Sequence, residues 1–289
     1  MRYIRLPEDY SYIAVFLTFA CPYKCSYCIN RFGEAHYRRK MISGKDWVRA
    51  LGRIETGEVP ITLGGGEPSS HPDFTYIINQ LPRHLDIDIL TNLFFDLDEF
   101  IKEVDPNRLR RGAPYTSIRA SYHPEVMDLR ETIDKTIKLM KAGFSIGLYG
   151  VLHPVQEEHI LEAQKRCQDL GIDFRTKPFL GYYQGRLYGQ YRYEGACSKK
   201  FRKKVLCRIS ELIIGTEGSV YRCHHDLYEG KEPIGNITEE DFEIEDKFRE
   251  CDDFGFCNPC DVKVKNNRFQ QFGHTSTEMR EYSPVLLNI

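Results

Sequence analysis

The sequence predicts an α/β fold: an open, partial (β/α)6 barrel over residues 1–180, then a small C-terminal domain over 181–289 that contains a hairpin. Three observations predict it. Short apolar runs alternate with helical patterns between residues 12 and about 177, the signature of βα units around a parallel sheet. A length of 289 residues suits one large domain with a small one. After Leu180 the pattern stops, because residues 181–189 are rich in glycine and tyrosine without helical period and read as a linker or substrate-facing loop.

Residues 13–18 form the first expected strand. Ser43 is a candidate N-cap for a helix that buries Trp47, Leu51 and Ile54. Strand two is expected at 61–63, a helix at 74–81, strand three at 87–91 and strand four at 117–121. Leu129, Ile133, Ile137 and Met140 recur at helical spacing, and Gly143 closes that helix in the left-handed conformation. Strand five covers 145–152, Ile160, Ala163, Cys167 and Leu170 share a helix face, and strand six covers 174–177. Farther on, residues 212–214 and 220–222 flank Gly215-Thr216-Glu217-Gly218 as a hairpin. Parallel strands of this kind place a site at their C-terminal ends.

Charge is nearly balanced, 40 Lys and Arg against 42 Asp and Glu, which argues against a nucleic-acid-coating protein. No stretch approaches ~20 apolar residues, so no membrane span is expected. The N-terminal residues lack a hydrophobic signal core, and the expected location is the cytoplasm. Ten cysteines in a large chain without an export signal point to metal ligation rather than disulfides. The Asn236-Ile237-Thr238 sequon is then expected to go unused.

Cys21, Cys25 and Cys28 fall in a C-x3-C-x2-C pattern just after the first apolar run. Three thiolates on one short loop can hold three irons of a cubane and leave the fourth iron open. A zinc ion would need a fourth protein ligand, for which His36 stands at an unusual spacing.

Tyr27 directly precedes the third cysteine, and Gly65-Gly66-Glu67-Pro68 follows the apolar segment Ile61-Thr62-Leu63. In these features together the chain resembles the radical S-adenosylmethionine (radical SAM) enzymes. The resemblance implies that SAM chelates the open iron and that one electron splits its S–C5′ bond. The resulting 5′-deoxyadenosyl radical removes a hydrogen atom from the substrate. It further implies contact of Tyr27 with adenine, and of Gly65, Gly66 and Glu67 with the SAM ammonium. Asn92 and Ser121 are placed to bind its carboxylate or ribose, or to be satisfied turn residues. Gly147 and Gly150 match the family's adenine-binding strand only in part. A flavodoxin- or ferredoxin-type electron donor is implied as well.

Cys207, Cys223, Cys257 and Cys260 form a second group, C-x10-G-x4-C followed by C-x2-C. The pattern resembles the auxiliary-cluster domain called twitch, the smaller relative of SPASM, and implies a second, auxiliary 4Fe-4S cluster in a C-terminal iron-sulfur domain. Taken alone it suits a structural zinc ribbon about as well. No cysteine follows Cys260, so one auxiliary cluster is the limit, and Cys251 is an alternative to one of the four. Cys167 is expected in the core. Cys197, near the domain junction, is either a hydrogen-atom donor or a structural thiol. His123, His224 and His225 follow strand four and Cys223 as candidate positioning groups.

The expected function is therefore a radical SAM enzyme that oxidises or rearranges a small polar metabolite, such as a carbohydrate or an aminocyclitol. Peptide or protein maturation, by crosslinking or epimerisation along the tyrosine-rich segment, is the alternative. A non-catalytic metal-binding protein is the third reading.

Overall fold

Six parallel strands carry the core: β1 Tyr12–Thr18, β2 Ile61–Gly65, β3 Ile87–Thr91, β4 Ile118–Tyr122, β5 Ile146–Leu152 and β6 Phe174–Pro178. They pair in chain order, each beside the next. The structure is a computed structural model that describes residues 2–28, 40–266 and 271–282. Each strand stands within two residues of its expected position, and the open, partial barrel is the one the alternating pattern predicts.

Side chains alternate across a strand, so residues paired in register share a face. Ile13, Ile61 and Ile87 form one such row, and Ile89, Ile118 and Ile146 another. Both rows are buried in one apolar cluster with Trp47, Ile77, Phe100, Ile133 and Ile160 of the flanking helices. The opposite face is mixed, and carries Tyr12, Thr62, Asp88, Arg119, Ser121, Tyr149 and Lys177 beside the apolar Ala14, Phe16 and Leu90.

Local chemistry sets the helix boundaries. Ser43 accepts the Asp46 N–H at 3.2 Å to cap Gly44–Leu51, and Asp128 accepts the Glu131 N–H at 2.8 Å to cap Leu129–Lys141. Gly143, at φ +92°, ends the latter helix in the conformation a side chain would oppose. Helices Phe74–Gln80 and Glu157–Asp169 match expectation, whereas Ile54 leaves its expected helix for a two-residue strand beside Ile4–Arg5. A further helix, Leu97–Glu103 capped by Asp96, was not expected.

Past residue 180 come β7 Lys203–Ile209, β8 Glu211–Ile214, β9 Ser219–Tyr221, β10 Gly235–Asn236, β11 Arg249–Phe254 and β12 Thr277–Glu281. The expected hairpin is β8–β9, pairing Ile213 with Tyr221 and Ile214 with Val220. It does not stand apart from the core: β8 runs parallel to β1, Glu211 to Tyr12 through Ile214 to Val15, so the core sheet has nine strands. Strands β11, β7 and β12 make a separate three-stranded antiparallel sheet. Among the described residues no helix is long and apolar enough to cross a membrane.

Candidate active site and cysteine centres

The loop bearing Cys21, Cys25 and Cys28 leaves the C-terminal end of β1 and is held by the neighbouring turn. Gly66 N–H donates to the Thr18 carbonyl and Glu67 N–H to the Ala20 carbonyl, both at 2.8 Å. This approach requires glycine. A Cβ on Gly65, whose φ is +124°, would sit 2.2 Å from the Thr18 oxygen, and one on Gly66 would sit 2.3 Å from the Ala20 oxygen.

Glu67 is 0 % exposed. Its Oε1 accepts from Ser69 Oγ at 2.7 Å, Ser69 N at 3.2 Å and Thr91 Oγ1 at 2.7 Å, and its Oε2 accepts from Asn92 N at 2.6 Å. Burial pushes its pKa up while these hydrogen bonds pull it back. The carboxylate thus ties the glycine turn to the end of β3. Asn92 in turn points its Nδ2 at Cys21 Sγ, 3.7 Å away, and its buried Oδ1 has no hydrogen-bond partner. An unfilled acceptor beside a ligand thiol suits a bound donor such as an ammonium or a ribose hydroxyl.

Ser121 lies half-buried at the C-terminal end of β4. Just beyond, Glu125 accepts from Ser26 Oγ at 2.7 Å and also from Ser26 N, which fixes the cysteine loop from the other side. Tyr27 OH meets His123 Nδ1 at 2.7 Å, and the Tyr27 ring stacks on His153 at 5.3 Å. Burial lowers the His123 pKa to about 4 and also lowers that of His153, so both imidazoles are neutral near pH 7. Tyr27, Glu125, His153, Phe179 and Tyr183 line a cleft of ≈ 690 Å³. Sequence reasoning missed His153, for which a strand-end histidine is too common a signal.

The second cysteine group converges around β7. Cys207 and Cys251 share an apolar cluster with Val205, Phe254 and Val262, against which Cys197, Cys223 and Cys257 pack. The Cys257 N–H donates to the Ala196 carbonyl at 2.9 Å, next to Cys197, which packs against the same cluster. Asp261 clamps the two cysteine turns together. Its Oδ1 accepts from His224 N at 3.0 Å and meets His224 Nδ1 at 2.8 Å, and its Oδ2 accepts from His225 N at 3.1 Å. Cys167, by contrast, is fully buried in the helix-facing core, as expected.

Groups of thiols such as these can hold a cluster or a single ion. A zinc ion with Zn–S bonds of ~2.3 Å holds its sulfurs roughly 3.8 Å apart. Among the described residues only His225, Asp226 and Asp253 bring three ligand atoms within 4.8 Å of one another, and no cysteine trio does. Those two carboxylates are already engaged, Asp226 by both arms of Arg222 at 2.8 and 3.0 Å and Asp253 by Lys231. His36 lies outside the described residues. Burial first, and neighbouring thiols next, push Cys25 up to about 12, and burial with a nearby thiol does the same to Cys207. Thiols held in this way ionise only with a cationic partner, which a bound metal supplies.

The model of the radical SAM superfamily matches residues 15–172, more than half of the chain. The chain belongs to the radical SAM superfamily. Radical SAM enzymes use SAM and a 4Fe-4S cluster, and the unfilled Asn92 acceptor and the three-cysteine loop fit those groups. The fold is similar to that of solved structures of anSMEcpe. The histidine-tagged form with bound AdoMet is 12% identical at a TM-score of 0.54, over 82% of this chain and 75% of that one. The native form with bound AdoMet and Cp18Cys peptide is 14% identical at 0.52, over 79% and 77%. At such identities the likeness speaks for the fold.

Proposed function

We propose that this radical SAM enzyme oxidises a small polar metabolite, with Cys21, Cys25 and Cys28 holding the SAM-binding cluster and residues 181–289 forming an auxiliary module. In that module Cys207, Cys223, Cys257 and Cys260 hold a second 4Fe-4S cluster, with Cys251 and Cys197 as the adjoining thiols. When bound, SAM and the two clusters supply hydrogen-atom abstraction and a nearby one-electron acceptor. The chain's own residues do the rest. Gly65 and Gly66 give the close backbone approach, Glu67 positions that turn from beneath, and Asn92 Oδ1 and Ser121 receive the polar groups of SAM. Tyr27, held by His123 and His153, offers a ring face to the adenine.

The observation that carries this reading is Tyr228, which sits on the helix His224–Glu229 capped by Cys223 and packs, as Cys21 and Cys28 do, against the cluster of Phe16, Phe19 and Leu227. Its ring packs 6.0 Å from Phe16 of β1 and 5.9 Å from His224, so one aromatic column separates the two cysteine groups. Such closeness suits an oxidation, in which the substrate must surrender an electron after losing hydrogen. A flavodoxin- or ferredoxin-type protein supplies the initiating electron, and the reducing cytoplasm suits ten unpaired thiols.

Peptide maturation is the second reading, favoured by the anSMEcpe structure with a bound peptide and by the hairpin Gly181–Tyr183 and Arg186–Tyr188, whose Tyr182 and Tyr183 line the cleft. The test is 5′-deoxyadenosine release by the reduced enzyme with SAM, with either the small-molecule or the peptide fraction of a cell extract added. Stimulation by the small-molecule fraction supports oxidation of a metabolite. Stimulation by the peptide fraction alone overturns it.

Glu67→Ala leaves the donors of Ser69, Thr91 and Asn92 without their acceptor. SAM affinity is expected to fall by up to roughly a hundredfold, the scale of one charge-assisted hydrogen bond, while cluster iron is largely retained. Equilibrium SAM binding to reconstituted enzyme checks it, and unchanged affinity removes this turn from the site.

A further inference from the structure

A basic surface lies directly over the second cysteine group. Residues 199–204 read Lys-Lys-Phe-Arg-Lys-Lys, five cations in six residues, on a chain whose net charge is -2. Lys199, Lys200, Arg202 and Lys203 are exposed, and among the described residues none of these four is ion-paired. Phe201, in their midst, is 46 % exposed. The adjoining segments carry the acids Glu194, Glu250, Asp252 and Asp253. Of these, Glu250 is taken by Lys204 and Asp253 by Lys231, while Asp252 meets Arg202 only through its backbone carbonyl, at 3.4 Å.

The run is tied to the cysteine group at both ends and in the middle. Ala196 and Val205, which bracket it, are buried in the cluster that contains Cys207 and Cys251 and against which Cys197, Cys223 and Cys257 pack. Ala196 accepts the Cys257 N–H at 2.9 Å. Between these anchors the chain lies on Gly255, where a Cβ would sit 2.9 Å from the Ser198 oxygen and 3.1 Å from the Arg202 nitrogen. Lys199 and Arg202 stand 5.5 and 5.6 Å from the centre of the Phe256 ring, one residue before Cys257, and Lys203 stands 5.0 Å from that of Phe254. Cys197 and Cys257 beneath are only half-buried. Like charges gathered on one face repel one another, and draw in an anionic partner.

We propose that residues 199–203 are the docking surface of a small acidic electron-carrier protein, which exchanges one electron with the second centre. Whichever partner gives the electron is oxidised and the other reduced, and no atom is transferred. Charge steers the encounter, Phe201 supplies an apolar contact, and so small a footprint suits a transient redox complex. A nucleic acid or an anionic membrane would answer to the charge but gives no reason for its place over the cysteines. The inference rests on the reading that Cys207, Cys223, Cys257 and Cys260 hold a cluster. The competing account is that the cations only offset that cluster's negative charge.

The experiment mixes reconstituted, oxidised enzyme with reduced flavodoxin in a stopped-flow instrument and follows the flavin semiquinone. Its fast phase is expected to slow about hundredfold at low salt in Lys199→Glu with Lys200→Glu and Lys203→Glu, and about tenfold in the matching Gln variant. The wild-type rate should fall as ionic strength rises from about 10 mM to about 150 mM. The same reversal at exposed Lys45, Lys102 and Lys141 should leave the rate nearly unchanged, and the midpoint potential of the second cluster should be the same in all. Equal slowing by both reversals, or none by either, overturns the proposal. A midpoint potential shifted by the first reversal overturns it in favour of charge compensation. Retention on anionic vesicles or single-stranded DNA, without a salt-sensitive fast phase, assigns the surface to another polyanion. Roughly four irons per wild-type chain would remove the cluster reading itself, and the proposal with it.

Discussion

Replacing Cys21, Cys25 and Cys28 together by alanine is expected to end SAM cleavage while leaving a folded protein. Iron should fall from roughly eight to roughly four per chain, one cubane's worth. The loop can lose its thiols without collapsing because its anchors are elsewhere, in Gly66 and Glu67 donating to the β1 end and in Ser26 held by Glu125. 5′-Deoxyadenosine assays and iron analysis on one preparation check both parts. Cleavage that survives in the triple variant would remove this loop from the chemistry.

The second large effect is expected from Cys257→Ala with Cys260→Ala. If the second centre accepts the substrate's electron, the variant stays soluble and cleaves SAM yet forms no oxidised product. If the centre is only structural, solubility and SAM cleavage fall together, because metal-binding free energy is then folding free energy. The structure favours the first outcome for the fold, since β11, β7 and β12 pair through backbone bonds and Asp261 holds both cysteine turns. Full product formation by the variant would defeat both versions.

The sequence makes the six core strands and their helices legible because each buries a local, regular stripe. It shows the cysteine loop for the same reason, since three thiols and a glycine turn are contiguous signals. What stays hidden depends on distant partners. The helix Leu97–Glu103 buries only Leu97 and Phe100, too few positions to reveal a period. The pairing of Glu211–Ile214 with Tyr12–Val15 joins residues about two hundred positions apart, and no local pattern announces a parallel neighbour. Cys197 and Cys251 lack a regular spacing, and reach the second group through the Ala196 carbonyl and the pairing of Val205 with Cys251. The four donors from Ser69, Thr91 and Asn92 that surround Glu67 are likewise invisible in the sequence.

Mössbauer spectra of anaerobically prepared, 57Fe-labelled enzyme, recorded with and without SAM, test the central claim most directly. The account predicts two 4Fe-4S clusters in equal amount, with SAM perturbing one iron of one cluster and leaving the other cluster unchanged. Zinc in the second cysteine group, or a spectrum that SAM does not alter, would contradict it.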